Sequence, residues 1–180
     1  MNEHDSLHAA IYEEVSLQPY DPRWPGLFAA ERSRLLLLAP QLPARLVDIQ
    51  HIGSTAVPGL VAKPVIDMLA GVESMAAAEA LVAPLCANGY TTSAEFNATL
   101  ADRKWLMRWA DGRRTHHLHI VVHGGAVWAQ RLRFRDALRS DPALAARYAA
   151  LKTELAAKYT DDREAYTDAK AAFVQAASEG

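Results

Sequence analysis

One cysteine, Cys86, stands among 180 residues, which excludes an intramolecular disulfide and fits a reducing compartment. Its neighbours are apolar, which favours a buried thiol over a nucleophile. No apolar run approaches the roughly 20 residues that a membrane-spanning helix needs. The opening Met-Asn-Glu-His-Asp-Ser lacks the basic start and apolar core of a secretory leader. Neither sign of charge prevails: 19 Lys and Arg against 21 Asp and Glu leave a net charge of −2, which gives no support to a nucleic-acid coat or a membrane-surface role. Internal repeats, low-complexity tracts and linkers are also missing. What remains is the expectation of a cytoplasmic globular protein, with 51% hydrophobic and 22% charged residues in the ordinary range. The polar, patternless residues 1–10 predict a mobile N-terminus, and residues 11–180 a single domain with a substantial core.

What is present gathers between His51 and Val72. The apolar run Arg45-Leu-Val-Asp-Ile-Gln-His-Ile52 reads as a strand, and Gly53-Ser54 breaks it with a pair small enough for backbone to approach a ligand. Pro58-Gly59 marks a turn. A second strand-like run follows Pro64, with one charge, Asp67, in its middle. A carboxylate inside an apolar strand is costly unless it is paired or bound to a cation. The order strand, Gly-Ser turn, Lys63, Asp67 is what phosphate handling needs: N–H groups for an anion, a neutralising ammonium, and a carboxylate for a divalent metal. A tight turn with one hydrogen-bonded structural Asp accounts for the same pattern.

Around this centre, Ile11 to Leu17 suits a short edge strand. Asp21-Pro22 predicts a helix start, with Trp24, Phe28, Leu35, Leu38 and Leu42 on one face and Glu31 in the same stripe as a structural ion pair. Ser74 caps a helix running towards Asn88-Gly89 and bent near Pro84. Tyr90 to Phe96 reads as a strand. Arg103–Ala110 and Arg114–Val122 read as a hairpin through Asp111-Gly112. Arg103, Lys104, Arg108, Arg113 and Arg114 make that hairpin the most basic part of the chain, as a solvated edge or a device to steer phosphate. Three helices close the chain, over Ala126–Arg139, Pro142–Tyr159 and Asp162–Ala177. Lys152 lies just off the core stripe of the second, and Lys170 within that of the third, where a lysine must find a partner or snorkel. His117 and His119, two apart on a strand, share a face and could bind a metal or a phosphate, or hydrogen-bond to backbone or carboxylate. His116 points the other way, as a half-buried structural residue. Strands alternating with helices and then a helical tail give an α/β or α+β class with a mixed sheet.

The wording His51-Ile-Gly-Ser-Thr-Ala-Val-Pro-Gly-Leu60 followed by Ala62-Lys-Pro-Val-Ile-Asp67 resembles the GrpB family. So do Tyr20-Asp-Pro-Arg-Trp24, Thr115-His-His-Leu-His119, Phe134-Arg-Asp136 and Tyr166…Lys170, so that the resemblance runs from about Tyr20 to Phe173. It implies a nucleotidyltransferase-like fold, related to the DNA polymerase beta superfamily: a mixed sheet flanked by helices, with a C-terminal helical tail. Ile52-Gly53-Ser54, twelve residues and then Asp67 fit that superfamily's frame. The resemblance implies a nucleotide or other phosphorylated small molecule as ligand, cradled by Gly53, Ser54 and Thr55 with Lys63 or Lys170 neutralising it, and transfer of a nucleotidyl group to a small acceptor. Asp67 and His119 would act in catalysis, and Asp67, His117 and His119 would hold a divalent metal, Mg or Mn with Zn as a further fit to the nitrogen ligands. One position departs from the superfamily pattern. Leu69 stands where a second carboxylate would share the face of Asp67, which argues for one metal instead of two. The alternative is a non-catalytic accessory or sensor module that keeps the phosphate pocket, a reading suited to the GrpB-like domains fused to dephospho-CoA kinase in some bacteria. The chain lacks the HxHxH run of a histidine-triad hydrolase, since Val121 takes the third place, and the paired HxT or HxS motifs of 2H phosphoesterases.

Overall fold

A computed structural model describes residues 16–179. Its centre is a four-stranded mixed sheet of order β1-β2-β4-β3, built from β1 (Asp48–Ile52), β2 (Ile66–Val72), β3 (Lys104–Ala110) and β4 (Arg113–Val122). β1 runs antiparallel to β2, β2 parallel to β4, and β3 antiparallel to β4. The β3–β4 turn is the hairpin expected: Asp111 and Gly112 both take positive φ, 53° and 73°, as a two-residue turn matched to strand twist requires.

β2 is buried on both faces, so its sequence reads as a continuous apolar run and not as an alternation. On one face Met68, Ala70, Leu106, Leu118 and Ile120 pack against α1 (Trp24–Leu38) and α2 (Met75–Cys86) through Trp24, Leu35, Leu81 and Leu85. On the other, Ile52, Leu69 and Val121 meet Trp128 of α4 (Ala126–Ser140). Gly71 permits that approach, because a Cβ there would lie 3.0 Å from the Trp128 ring and 2.9 Å from His123. The helices α4, α5 (Pro142–Lys158) and α6 (Arg163–Glu179) form the tail, closed by Phe134, Leu138, Tyr148 and Phe173 over Val57 and Leu60.

Glu31 is the structural ion pair its place in the stripe suggests: buried, it accepts from Tyr90 (2.5 Å), Arg34 (2.7 Å) and Arg108. Burial would raise its carboxyl, but these partners outweigh it and hold the group below its usual range. The basic hairpin is therefore not simply a solvated edge: Arg108 serves Glu31, Lys104 pairs with Glu79 at 2.7 Å, and Arg114 is buried.

Two expectations are corrected. Tyr90–Phe96 is not a strand. Only Thr91 bridges to Met107, and Ser93 then caps the short helix α3 (Ala94–Ala98), its hydroxyl accepting from Phe96 N–H. Asn97 occupies the place of a neighbouring strand, its amide accepting from Trp105 N–H (2.8 Å) and donating to Trp105 C=O (3.2 Å). At the N-terminal helix, α1 starts at Trp24 instead of Pro22, because the Asp21 carboxylate turns back onto the N–H and guanidinium of Arg23. Of the expected edge strand, residues 11–15 lie outside the described residues, as does the N-terminal stretch 1–10. Gln18 makes an isolated bridge to Ala62.

Candidate functional site at the Gly53-Ser54 turn

β1 ends at Ile52 and the chain turns at Gly53 (φ 73°) into a single 3₁₀ turn, Ser54–Ala56. The turn crosses closely above β2. A Cβ on Gly53 would lie 2.7 Å from Asp67 Oδ2, so glycine is required here both for its positive φ and for the space. Asp67 is the register partner of Ile52 on one side and of His117 on the other, while Leu69 is the partner of His119. Period-two geometry therefore puts Asp67, Leu69, His117 and His119 on one face. Asp67 Oδ1 lies 3.1 Å from His117 Nδ1 and 3.8 Å from His119 Nε2. Burial would raise the Asp67 carboxyl, but the two histidines outweigh it and hold the group well below the usual carboxylate range. Burial in turn pushes His117 down to about 4 against the pull of Asp67, and lowers His119, so both imidazoles are neutral beside a carboxylate.

These three side chains bring their donor atoms within 4.8 Å of one another, a set able to hold one divalent ion. The two histidines are not equivalent in it. Arg114 Nη1 lies 2.8 Å from His117 Nε2, and a guanidinium only donates, so the His117 proton sits on Nδ1 and goes to Asp67. His117 can ligate through Nδ1 only by releasing Arg114. His119 has no such competitor; its Nδ1 is buried without a hydrogen-bond partner among the described residues. Asp67 and His119 are thus the better fit. Leu69, where a second carboxylate would stand, is fully buried among Ile52, Val121 and Trp128.

The turn itself is met by the lysine that its helix sets just off the core stripe. Lys152 of α5 is 2% exposed, and its Nζ donates to Ser54 Oγ (2.8 Å) and to Val61 C=O. Burial lowers its pKa to about 7; the charge of Lys170 adds to this and that of Asp67 opposes it. Tyr148, one helical turn before, lies under the Lys152 ammonium at 5.2 Å from ring centre. Lys63 and Lys170 both rest their ammoniums on the Tyr166 ring, each 4.5 Å from its centre. Arg131 of α4 is half-buried within the electrostatic reach of Asp67, Asp102, Arg103 and Tyr148; burial and then Arg103 lower its pKa, against the pull of the two carboxylates. No carboxylate of the described residues pairs with Lys152 or Arg131 within ion-pair distance. The signal for Lys152 was in the sequence as a repeated spacing: Tyr148-x-x-x-Lys152 and Tyr166-x-x-x-Lys170 set a lysine one turn beyond a buried tyrosine on two successive helices.

Thr55 does not join this cluster by its side chain. It is buried, and its hydroxyl is engaged with His51 Nε2 at 2.9 Å, on a histidine stacked against Phe28. His116 lies on the opposite face of the sheet, bonded to Thr115. The side chains so assembled offer an anion basic groups and a hydroxyl, and beside them a carboxylate with two neutral imidazoles.

The family model described as "GrpB protein" matches residues 14–179. The chain is 36% identical over 174 residues to the UPF0157 protein YqkA of Bacillus subtilis, covering 96% of this chain but 49% of that protein. A dephospho-CoA kinase of Mycolicibacterium paratuberculosis is 35% identical over 160 residues, 77% of this chain and 39% of the kinase. The chain thus spans half or less of the length of these two relatives. The crystal structure of the conserved protein GrpB from Enterococcus faecalis superposes with a TM-score of 0.76 at 33% identity, covering 91% of this chain and 95% of that one. Sequence, fold and the matched length agree: the chain belongs to the GrpB family, which is distantly related to nucleotidyltransferase-like proteins.

Proposed function

We propose that this protein binds a nucleotide or another phosphorylated small molecule in the cleft between the Gly53-Ser54 turn and the C-terminal helices, and transfers a nucleotidyl group from it to a small acceptor. One observation carries the reading: Lys152 is withdrawn from water against Ser54 and Arg131 is half-buried within reach of Asp67, with no carboxylate of the described residues at ion-pair distance from either. A buried amine without a close counter-ion holds its proton weakly, and a bound phosphate would supply the charge that restores its ammonium form. Ser54 and Lys152 would hold the phosphate chain, with Lys63 and Lys170 adding charge from across Tyr166. Asp67 with His119 would hold one divalent ion, Mn or Zn before Mg on account of the nitrogen ligand, which when bound neutralises phosphate charge and polarises the reacting group. The chain's own contribution is position and fixed charge.

Leu69 favours a second reading. With that side chain packed into the core, the carboxylate pair of a two-metal site is missing, and a phosphate-binding accessory module without turnover fits the cleft equally. The match to part of a dephospho-CoA kinase supports an accessory role of this kind.

The test is calorimetry with tripolyphosphate and with nucleoside triphosphates, each with and without Mn. Binding should weaken by about ten- to a hundredfold in Lys152→Ala and in Arg131→Ala, the loss of one charge-assisted hydrogen bond each. An absence of binding by every phosphate compound would overturn the reading. Binding without release of pyrophosphate in the presence of small alcohols and amines would select the accessory module.

A further inference from the structure

The end of the sheet beside His117 carries a pair of aromatic rings that the phosphate cleft does not use. Trp105 on the edge strand β3 is the register partner of His119 and faces the same side as Asp67. Its ring packs 5.5 Å from the ring of His117. Phe96 of α3 meets Trp105 edge-on at 5.5 Å and 86°. Helix α4 packs over β1 and β4 on this face. Trp105 stays half-buried and Phe96 is 43% exposed, one of few large apolar side chains so open among the described residues.

The backbone that carries the two rings is fixed. Asn97, 6% exposed, spends its side chain on both backbone groups of Trp105, and Thr92 adds a bond to the same carbonyl. Ser93 caps the turn that carries Phe96. A buried amide and a buried threonine committed to the backbone of Trp105 leave little main-chain freedom to lose when this aromatic pair binds a ligand. The guanidinium of Arg114 lies 5.9 Å from the Trp105 ring centre while its Nη1 contacts His117. Trp105, His117 and Asp67 are thus in consecutive contact, from the aromatic pair to the carboxylate under the Gly53-Ser54 turn.

We propose that Trp105 and Phe96 form the subsite for a flat heteroaromatic ring, so that the ligand of the cation cleft is a nucleotide and not a bare phosphate chain or a sugar phosphate. This rests on the phosphate-binding reading above and names the substrate class for it. A nucleobase is the occupant that fits both ends: its ring stacks on an aromatic face whatever its hydrogen-bonding edge, and its phosphates reach the cations beyond Asp67.

The experiment compares tripolyphosphate with a purine and a pyrimidine nucleoside triphosphate by calorimetry on the full chain, in wild type, Trp105→Phe, Trp105→Leu and Phe96→Ala. Stacking predicts that the base adds about five- to 150-fold in affinity in the wild type. Trp105→Phe should retain most of that gain. Trp105→Leu and Phe96→Ala should lose it while tripolyphosphate affinity stays unchanged. Phe96 is exposed, so its removal reads the subsite even if Trp105→Leu disturbs the edge strand. Equal affinity for tripolyphosphate and nucleotides in the wild type, or a base preference that survives in Phe96→Ala and Trp105→Leu alike, overturns the aromatic subsite and leaves phosphate binding standing. If tripolyphosphate and nucleotides all fail to bind, the phosphate reading falls, and this one with it.

Discussion

Replacing Lys152 by methionine removes a charge and keeps a stem of similar volume, which isolates the electrostatics of the cleft. In the wild type, burial first and the Lys170 charge second lower the Lys152 pKa to about 7, against 10.5 for an unperturbed lysine. Between those values the unfolded chain binds a proton that the folded chain has released. Stability therefore rises with pH across that window, and it falls as pH drops towards 7, where the ammonium must be carried buried. From pH 7 to pH 9 the gain from this one group is about 2 kcal/mol. Lys152→Met has no such group. Urea denaturation at pH 7, 8 and 9 should show the wild type gaining about 2 kcal/mol on the variant, since all other titrations cancel in the difference. Parallel pH profiles would refute the argument that Lys152 is a buried, titrating amine. A phosphate ligand adds a second readout. An anion bound at Nζ restores the charged form, so binding at pH 8 should take up about 0.9 proton, measured from the buffer dependence of the binding enthalpy. Lys152→Met should take up none.

Other outcomes follow from the same geometry. Gly53→Ala places a Cβ 2.7 Å from Asp67 Oδ2 at φ 73°, so urea denaturation should show a loss of at least about 1–2 kcal/mol, with phosphate binding lost alongside. Leu69→Asp buries a second carboxyl at a site with no solvent access and, even with that group protonated, should cost about 2–7 kcal/mol in thermal or chemical denaturation; near-neutral stability would mean that the neighbouring apolar cluster opens. Calorimetric titration with Mn should find one ion per chain, with affinity lost in His119→Ala and raised in Arg114→Gln, which frees His117 Nδ1 from its proton. Two ions, or an unchanged affinity in His119→Ala, would show that the ligands are different ones.

Much of this architecture was readable before any coordinates because local signals agreed with the global fold. Asp111-Gly112 dictated the hairpin; Ser74 and Pro142 dictated helix starts; and the two-residue spacing of His117 and His119 put them on one face. Glu31 in an apolar stripe correctly announced an ion pair, although its partners Tyr90 and Arg108 are 59 and 77 residues away and could not be named from spacing. The strand expected over Tyr90–Phe96 failed where a side chain took over the work of a backbone. Asn97 satisfies the edge of β3 at Trp105, so no fifth strand is needed, and Ser93 is then free to start a helix. Propensity cannot register that substitution, since it depends on where the edge of another strand lies.

The site was half legible for a related reason. Gly53, Ser54 and Asp67 lie within fifteen residues, and the glycine and the carboxylate specify each other sterically, so a short stretch carries the whole signal. Lys152 reaches the turn from 98 residues away, and its role rests on what it lacks. A lysine near a core stripe normally snorkels, extending its ammonium to water along an apolar stem. Here α6 closes over α5, Tyr166 is buried beneath Lys63 and Lys170, and the exit is shut, so the ammonium turns inward onto Ser54 and the Val61 carbonyl. Packing of the third tail helix therefore converts a surface lysine into a site lysine. The Tyr-x-x-x-Lys spacing on both helices is the trace this leaves in the sequence: each tyrosine supplies the wall, and each lysine the charge directed past it. Arg131 leaves no such trace, because its approach to Asp67 and Arg103 is a property of the assembled site and of no segment of the chain.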